Sequence, residues 1–356
     1  MMKLKKLRAF MAEKKIDAVL VLDDLNQHYL SEFAFTDGAL VITANEAHLI
    51  TDFRYYEMAL KNASKEFKVA MPENRTEYIG KIFADGNCKT VGFEGASVSY
   101  ELYRSYVEKY PSSEFVDIGD AIEVIRQIKT DDEIEKMQKA QDIADAALAH
   151  VLGIMTPEMT ELDVAVELEY QMRKRGADGI SFDTIAVSGD ASALPHGTPR
   201  NVKLKRGFLT MDFGAKYGGY CSDMTRTVVI GKADDEMKKL YNTVLKAQLS
   251  ALDYLSEGAD AGEADKIARD IIDSIPEYKG AFGHSLGHSV GLFIHESPRV
   301  SSRSFGRKLR AGEIVTVEPG IYLFGKYGCR IEDMVKIEKD GIYNFTHSKK
   351  DLIEII

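Results

Sequence analysis

The sequence predicts an α+β protein of two domains, and three observations support this fold class. The chain has 356 residues, which is too long for one ordinary hydrophobic core. Its N-terminal third alternates short apolar runs with amphipathic stretches, as small α/β domains do. The remainder shows one order of elements twice, two helices followed by a strand hairpin. We therefore predict a smaller α/β domain at residues 1–128 and a larger, duplicated domain at residues 129–356.

The elements of the N-terminal domain follow from the spacing of its apolar residues. An amphipathic helix comes first, because Leu4, Leu7 and Met11 recur at helical spacing among lysines. Neither a G-x-G-x-x-G nor a Walker pattern occurs, so no phosphate-binding loop is predicted. The other predicted elements are strands at residues 17–22, 38–43 and 90–93 and helices at residues 54–61, 77–84 and 100–109.

The helices of the larger domain have recognisable ends. Thr130 and Glu133 form a capping box that opens a long helix, and Gly176 is a normal C-terminal glycine for the next one. The duplication is inferred from the order of elements alone. The predicted helices are residues 132–152, 160–175, 235–255 and 260–274, and the predicted strands are 184–187, 207–213, 220–230, a short run near Leu292, 314–322 and 329–337.

Composition limits the classes of partner and the compartment. The net charge is -10 and the pI about 5.4, which argues against nucleic acid or an anionic membrane as a partner. No continuous apolar run follows the first helix, so we expect neither a signal peptide nor a membrane anchor. Cys88, Cys221 and Cys329 form no CxxC pair and are interpreted as reduced thiols of a cytoplasmic protein.

The hairpin of the first half carries two carboxylates. Asp212 ends one predicted strand and Asp223 lies in the next, with glycines turning the chain between them. Strand side chains alternate between faces, so Asp223 shares a face with Thr225 on its own strand. Two carboxylates that meet across a hairpin repel each other unless a cation lies between them or one is protonated.

The second half repeats this arrangement with two glutamates. Glu318 shares a face with Thr316, and Glu332 shares a face with Arg330 on the following strand. One acidic residue in a strand is usually a solvated edge residue, but four in matching hairpins are harder to dismiss. If the halves pack face to face, the four acids converge, and carboxylates favour hard divalent ions.

A histidine-rich stretch lies between the two hairpins. His284, His288 and His295 fall within twelve positions, among glycines that leave the backbone open to close approach. An imidazole added to carboxylates shifts the metal preference towards Mn²⁺, Co²⁺ or Zn²⁺. His196 is a further candidate in a loop rich in glycine and proline, where a lone histidine is more often simply solvated.

Two alternative functions remain open at this point. Gly287 to Gly291 match the G-x-S-x-G pattern of a serine hydrolase, with Ser289 as nucleophile and Asp333 and His347 as partners. That motif requires a strand, a sharp turn and a helix, whereas an apolar run without helical period follows here. The other alternative is a non-catalytic binding protein on the same fold.

The larger domain resembles the pita-bread metallopeptidases, which include methionine aminopeptidase, aminopeptidase P and prolidase. The resemblance rests on the motifs MDFG, CSDMTRT, HSLGHSVG, TVEPGIY and RIED, and it assigns the ligands of a two-metal site to Asp212, Asp223, His288, Glu318 and Glu332. It implies a C-terminal pita-bread fold, in which the duplicated helix-helix-hairpin halves surround a curved antiparallel sheet.

Further segments resemble the prolidase and aminopeptidase P branch of these enzymes. They are IRQIKTDDEIEKMQKA at the domain boundary, SALPHG around His196, and LITDFRYYEMA in the N-terminal domain. Methionine aminopeptidases generally lack the large N-terminal domain, and creatinases lack the metal ligands. The resemblance therefore implies a peptidase that cleaves the bond before proline in small peptides, with two divalent ions, Mn²⁺ ahead of Co²⁺ or Zn²⁺.

The resemblance also implies roles for the neighbouring residues. A hydroxide shared by the two metals would attack the carbonyl before proline, and Glu318 would shuttle the proton. His196 and His295 would contact the substrate, His284 would line the same pocket, and Arg330 would orient a carboxylate ligand.

A residue that is not one of the five metal ligands bears on the length of peptide that is preferred. Arg299 follows the histidine stretch and resembles an arginine of prolidases that would bind the carboxylate of an Xaa-Pro dipeptide. Tyr322 and Phe182 are weaker candidates for the substrate pocket, since each is more often simple packing. By analogy with related N-terminal domains we expect a homodimer.

Overall fold

The computed structural model describes residues 2–356 and divides the chain into two compact units. The first unit ends at Arg126 and the second begins at Gln127. The division expected between residues 128 and 129 lies in the segment between the last helix of the first unit and the first long helix of the second. Within the described residues, no helix is long and apolar enough to cross a membrane.

The first unit is a six-stranded mixed sheet with helices, in the strand order β4-β3-β2-β1-β5-β6. β1 pairs antiparallel with β2 and parallel with β5. The strands are β1 Ala18–Val21, β2 Ala39–Thr43, β3 Ala47–Ile50, β4 Lys68–Ala70, β5 Thr90–Phe93 and β6 Glu114–Asp117. The helices are α1 Met2–Lys14, α2 Asp24–Ser31, α3 Phe53–Asn62, α4 Arg75–Asp85, α5 Tyr100–Lys109 and α6 Ala121–Gln127. The predicted α/β character is confirmed, whereas α2, α6, β3, β4 and β6 were not predicted.

The second unit contains four long helices, and their ends agree closely with the predicted ones. They are α7 Asp131–Ile154, α8 Glu161–Lys174, α9 Asp235–Tyr254 and α10 Ala261–Asp273. The predicted capping box opens α7 at Thr130, and α8 also begins with a capping box at Thr160. Gly176 follows α8 with a φ of +97°, a left-handed conformation that suits glycine.

The strands of the second unit follow each helix pair. The first group is β7 Gly179–Ile180, β8 Ile185–Ser188, β9 Gly207–Phe213, β10 Ala215–Tyr217, β11 Tyr220–Cys221 and β12 Met224–Ile230. The second group is β13 Gly287–Ser289, β14 Glu296–Val300, β15 Ile314–Val317, β16 Gly320–Leu323, β17 Tyr327–Arg330, β18 Asp333–Glu338, β19 Gly341–Asn344 and β20 Glu354–Ile355. Among these described strands the pairings are antiparallel, apart from β12 with β20.

Each half of the second unit has its own hydrophobic core. One cluster joins α7 and α8 to β9 and β12, with Leu148, Leu168 and Met211 fully or almost fully buried. The other joins α9 and α10 to the strands of the second half, and it also includes Phe208 and Val229 from the first half. The predicted duplication of helix pair and hairpin is therefore present in the packing as well as in the element order.

Three long predicted strands are interrupted, and the interruptions fall at candidate ligands. The breaks are at Ser222 and Asp223, at Glu318 and Pro319, and at Ile331 and Glu332. Periodicity does not reveal such breaks, because the apolar residues on either side keep their alternation. The strand predicted near Leu292 was wrong: this residue lies in the loop between β13 and β14, buried although irregular.

Candidate active site

Asp212 and Asp223 reach one face of the first hairpin through strand register. Asp212 on β9 pairs with Thr225 on β12, and Asp223 directly precedes β12, two residues from Thr225. Period-2 alternation therefore directs both carboxylates to the same side. The chain can turn between them because Gly214 packs against the carbonyl of Ser222, where a Cβ would come within 1.9 Å of the oxygen.

Glu318 and Glu332 lie at the breaks between strands of the second half. The backbone amide of Glu318 donates to the carbonyl of Leu286 at 2.8 Å, and that of Glu332 donates to the carbonyl of Thr225 at 3.1 Å. The Thr225 hydroxyl donates to Oε2 of Glu332 at 2.7 Å. The two contacts between Thr225 and Glu332 join the first half to the second. The duplication therefore brings the four acids together.

His288 lies among these carboxylates with a defined tautomer. Its Nε2 is 3.5 Å from Oδ2 of Asp223 and 3.4 Å from Oε1 of Glu318. Its Nδ1 is 3.1 Å from the carbonyl oxygen of Ser289, a partner that can only accept a hydrogen bond. The proton therefore belongs on Nδ1, which leaves the lone pair of Nε2 directed at the acids. Burial lowers the pKa of His288 to about 3, so the ring is neutral.

The buried carboxylates of this cluster lie so close together that a bound cation would stabilise them. Asp223, His288 and Glu332 each offer a ligand atom within 4.8 Å of the others, and all three are buried. Burial, reinforced by neighbouring carboxylates, raises the pKa of Asp223 and of Glu332 well above their usual values. Burial also raises the pKa of Glu318 to about 8.

Asp212 completes the argument for a divalent ion. Its Oδ2 accepts from the Arg330 guanidinium at 2.5 Å, while its buried Oδ1 has no hydrogen-bond partner among the described residues. An unsatisfied carboxylate oxygen beside three more acids and a neutral imidazole fits hard divalent cations. The residues present therefore fit the metal ions that the sequence implies.

The candidate ligands form part of the lining of a cavity of about 590 Å³. His196, His284 and His295 line the same cavity, as do Phe182, Arg299 and Arg330. All five candidate ligands and these six residues therefore share one space. Tyr322, which was expected in the pocket, is not among the lining residues.

Tyr322 instead connects two residues beside the cavity. Its hydroxyl accepts from Arg330 at 2.6 Å and lies 2.9 Å from Nε2 of His284. Since Nδ1 of His284 is 2.9 Å from the carbonyl of Ser285, Nε2 is the acceptor for the Tyr322 hydroxyl. Burial lowers the pKa of His284 to about 4, so this ring is also neutral.

Comparison with known proteins assigns the family. The model of metallopeptidase family M24 matches residues 135–339, and the model of the creatinase/prolidase N-terminal domain matches residues 3–128. The chain belongs to metallopeptidase family M24. It is 39% identical over 354 residues to an Xaa-Pro dipeptidase of Pyrococcus furiosus, covering 99% of both, and 41% identical over 360 residues to an uncharacterized peptidase of Bacillus subtilis, covering 99% of both.

Solved structures agree with this assignment. The Xaa-Pro dipeptidase from Bacillus anthracis superposes with a TM-score of 0.94 at 40% identity, covering 99% of both chains. The X-Pro aminopeptidase from Thermotoga maritima gives a TM-score of 0.91 at 36% identity, covering 96% of this chain and 98% of the other. The predicted pita-bread fold, preceded by a smaller α/β domain, is therefore confirmed. The chain is a metallopeptidase.

The geometry does not favour a serine hydrolase within this M24 fold. Ser289 lies on β13, fully buried, and its hydroxyl oxygen has no hydrogen-bond partner in the described part of the chain. A loop follows it instead of the helix that a nucleophile elbow requires. Asp333, its proposed acid, is bound by Arg226 and Lys350, at 2.8 and 2.7 Å.

Sequence reasoning missed two ion pairs beside the segments that carry His196 and His295, and in each pair the carboxylate is buried. Glu161 on α8 binds Arg200, and Lys129 binds Glu296. The partners are far apart in the sequence, and no local pattern marks them.

Proposed function

We propose that this metallopeptidase hydrolyses the peptide bond before proline in Xaa-Pro dipeptides, using two divalent metal ions. The proposed ligands are Asp212, Asp223, His288, Glu318 and Glu332. The convergence of four carboxylates and one neutral imidazole at a single cavity supports the proposal. Relatives named Xaa-Pro dipeptidase and X-Pro aminopeptidase support a preference for proline.

We propose Mn²⁺ as the metal, with Co²⁺ and Zn²⁺ as alternatives. Four oxygen ligands favour hard ions, and the imidazole moves the preference towards the transition metals. When bound, the ions supply a hydroxide near neutral pH by lowering the pKa of water. The protein then has to place the peptide, hold protons and stabilise the developing oxyanion.

Residues of the chain supply these remaining tasks. The Glu318 carboxylate lines the cavity beside the other proposed ligands, where it can take a proton from the nucleophile and return it to the leaving nitrogen. The His295 ring is a neutral donor, since burial lowers its pKa, and it lies beside His288 with ring centroids 4.5 Å apart. With His196, it would donate to the oxyanion.

Arg299 supports dipeptides as the substrate class. It lies on β14, paired in register with His288 on β13, and it lines the cavity. A guanidinium can bind a carboxylate through two parallel hydrogen bonds. In an Xaa-Pro dipeptide that carboxylate belongs to the proline itself, one residue from the scissile bond.

A comparison of matched substrates tests this assignment. We expect wild-type protein with Mn²⁺ to hydrolyse Xaa-Pro faster than Xaa-Ala and faster than the amidated Xaa-Pro. Arg299→Ala should raise KM for Xaa-Pro about tenfold or more, because one bidentate charged contact is lost, and leave the amide nearly unchanged. Arg303→Ala, an exposed arginine after the same strand, is the control. Equal effects on both substrates, or faster turnover of Xaa-Pro-Xaa by the wild type, would favour an aminopeptidase instead.

Two further properties belong to this proposal. The three cysteines are free and buried, which supports a reducing compartment, and we propose the cytoplasm. We also propose a homodimer, which sedimentation equilibrium tests directly.

A further inference from the structure

A buried ion pair lies behind the loop that carries His295. Nζ of Lys129 is 3.1 Å from Oε2 of Glu296, and the two side chains are only 2% and 9% exposed. Lys129 immediately precedes the capping residue of α7, whereas Glu296 is the first residue of β14. A salt bridge with so little exposure is held in one geometry and is screened very little by solvent.

The Glu296 carboxylate also organises the loop of residues 290–295. Its Oε1 accepts from the backbone amide of Phe293 at 3.1 Å. It packs directly on Gly291, where a Cβ would lie 2.5 Å from Oε2. The carbonyl of Gly291 in turn accepts from the amide of Cys221 at 2.8 Å. The Glu296 carboxylate therefore holds Gly291 and Phe293 close to it, and Lys129 holds the carboxylate in place.

This loop ends at the histidine proposed to act in turnover. Ile294 and His295 line the cavity, and Glu296 is the next residue along the chain. The position of the imidazole therefore depends directly on the anchored backbone of Glu296. A displacement of about 1 Å at a catalytic group can reduce a rate by roughly 100-fold.

We propose that Lys129 and Glu296 are positioning residues that hold His295 in its productive orientation. The inference rests on the proposed role of His295 in peptide hydrolysis. Lys129 is not among the residues that line the cavity, and its side chain pairs with Glu296, so we expect its effect on turnover to pass through the loop.

The first half provides a matched control for this pair. Oε1 of the buried Glu161 accepts from the amide of Ser188 at 2.7 Å, and its Oε2 accepts from the amide of Arg200 at 3.1 Å. Ser188 and Arg200 flank the segment that carries His196. Glu161 is thus a buried carboxylate that constrains a different histidine loop of the same cavity.

The test is a set of double-mutant cycles on metal-loaded protein. We expect Lys129→Met to lower kcat about tenfold or more with little change in KM. Lys129→Met should lower the kcat of His295→Ala protein no further, because the imidazole it positions is already gone. In the double mutant of Lys129→Met and His196→Ala, the two losses in kcat should multiply. Glu161→Gln should lower the kcat of His295→Ala protein further, but lower that of His196→Ala protein no further. Lys129→Arg should keep most of the wild-type turnover because it keeps a buried cation.

Hydrogen exchange gives a readout that does not depend on the substrate. Lys129→Met should speed amide exchange at residues 291–295 and leave residues 189–199 unchanged, with normal bound metal. If Lys129→Met does not fold, Glu296→Gln replaces it, since an amide oxygen still accepts from Phe293. Full multiplication of the Lys129→Met and His295→Ala losses, or unchanged exchange in the loop, would overturn the inference. Failure of the enzyme to cleave Xaa-Pro would contradict the proposed function. The exchange experiment would then still test whether Lys129 anchors the loop, because it needs no substrate.

Discussion

At the scale of single residues, the site concentrates groups that are unfavourable without a bound cation. Asp223 and Glu332 are almost completely buried, and Oδ1 of Asp212 lacks a partner within the described residues. Burying charged carboxylates near one another opposes folding unless they are neutralised. Metal binding and stability of the fold should therefore be linked.

Removing the metal should make stability depend on pH in a defined direction. Without metal, burial raises the pKa of Glu318 from its usual 4.5 to about 8, so up to that pH the folded state keeps a proton that the unfolded chain has released. Stability then falls as pH rises through this range. His288 and His284, whose pKa values are lowered, oppose this trend only below about pH 6.5, where unfolded histidines become charged.

The clean window for that measurement is therefore pH 6.5 to 8.5. We expect the Tm of chelated protein to fall across this window in thermal scans and that of Mn²⁺-loaded protein to fall much less. Parallel curves for the two forms would show that these carboxyls do not bind the metal.

The histidines should separate turnover from metal binding. His196→Ala and His295→Ala should keep the wild-type metal content and lose about 100-fold in kcat, the scale of one oxyanion donor. His150→Ala, which removes a histidine paired with Glu167 on the helices of the first half, is the control and should keep full activity. Loss of metal from either cavity mutant would mean that the residue is a ligand.

At the scale of elements, the hairpins position the ligands by close backbone packing. Gly214 lies between Asp212 and the turn that leads to Asp223, and a side chain there would overlap the Ser222 carbonyl. Gly153 near the end of α7 has open space around its Cβ position. These two glycines allow a matched comparison.

We expect Gly214→Ala to reduce bound metal and activity together, because the hairpin has to open to admit the methyl group. Gly153→Ala should leave bound metal and activity unchanged. It should stabilise the protein by about 0.5–1 kcal/mol, since alanine favours the helix more than glycine does. Metal analysis beside denaturant unfolding measures both effects. Normal metal content in Gly214→Ala would contradict the close packing of this turn.

Element prediction succeeded where a local signal exists. The capping box at Thr130 and the glycine at position 176 mark helix ends through backbone chemistry that neighbouring residues specify. The break at Glu332 left no such signal, because it depends on a hydrogen bond to the distant carbonyl of Thr225. Pro319 did mark the break after Glu318, but the apolar residues on either side suggested one continuous strand. The short elements β3, β4 and α6 escaped prediction because their apolar residues are too few to establish a period.

At the scale of the whole molecule, the duplication explains why the site lies between the halves. Thr225 from the first half binds Glu332 from the second, and Arg330 from the second half binds Asp212 from the first. Sequence alone predicted that the acids converge, because their motifs repeat. It did not predict the Lys129 and Glu296 pair, whose partners are 167 residues apart.

The most direct test of the two-metal site is a titration of metal-free protein with Mn²⁺, following bound metal and Xaa-Pro hydrolysis together. We predict no activity without metal, two ions bound per chain, and full turnover only when both are bound. Glu332→Gln should bind one ion or none, because it loses a charged ligand. Substantial hydrolysis by the metal-free protein, or unchanged stoichiometry in Glu332→Gln, would contradict the account.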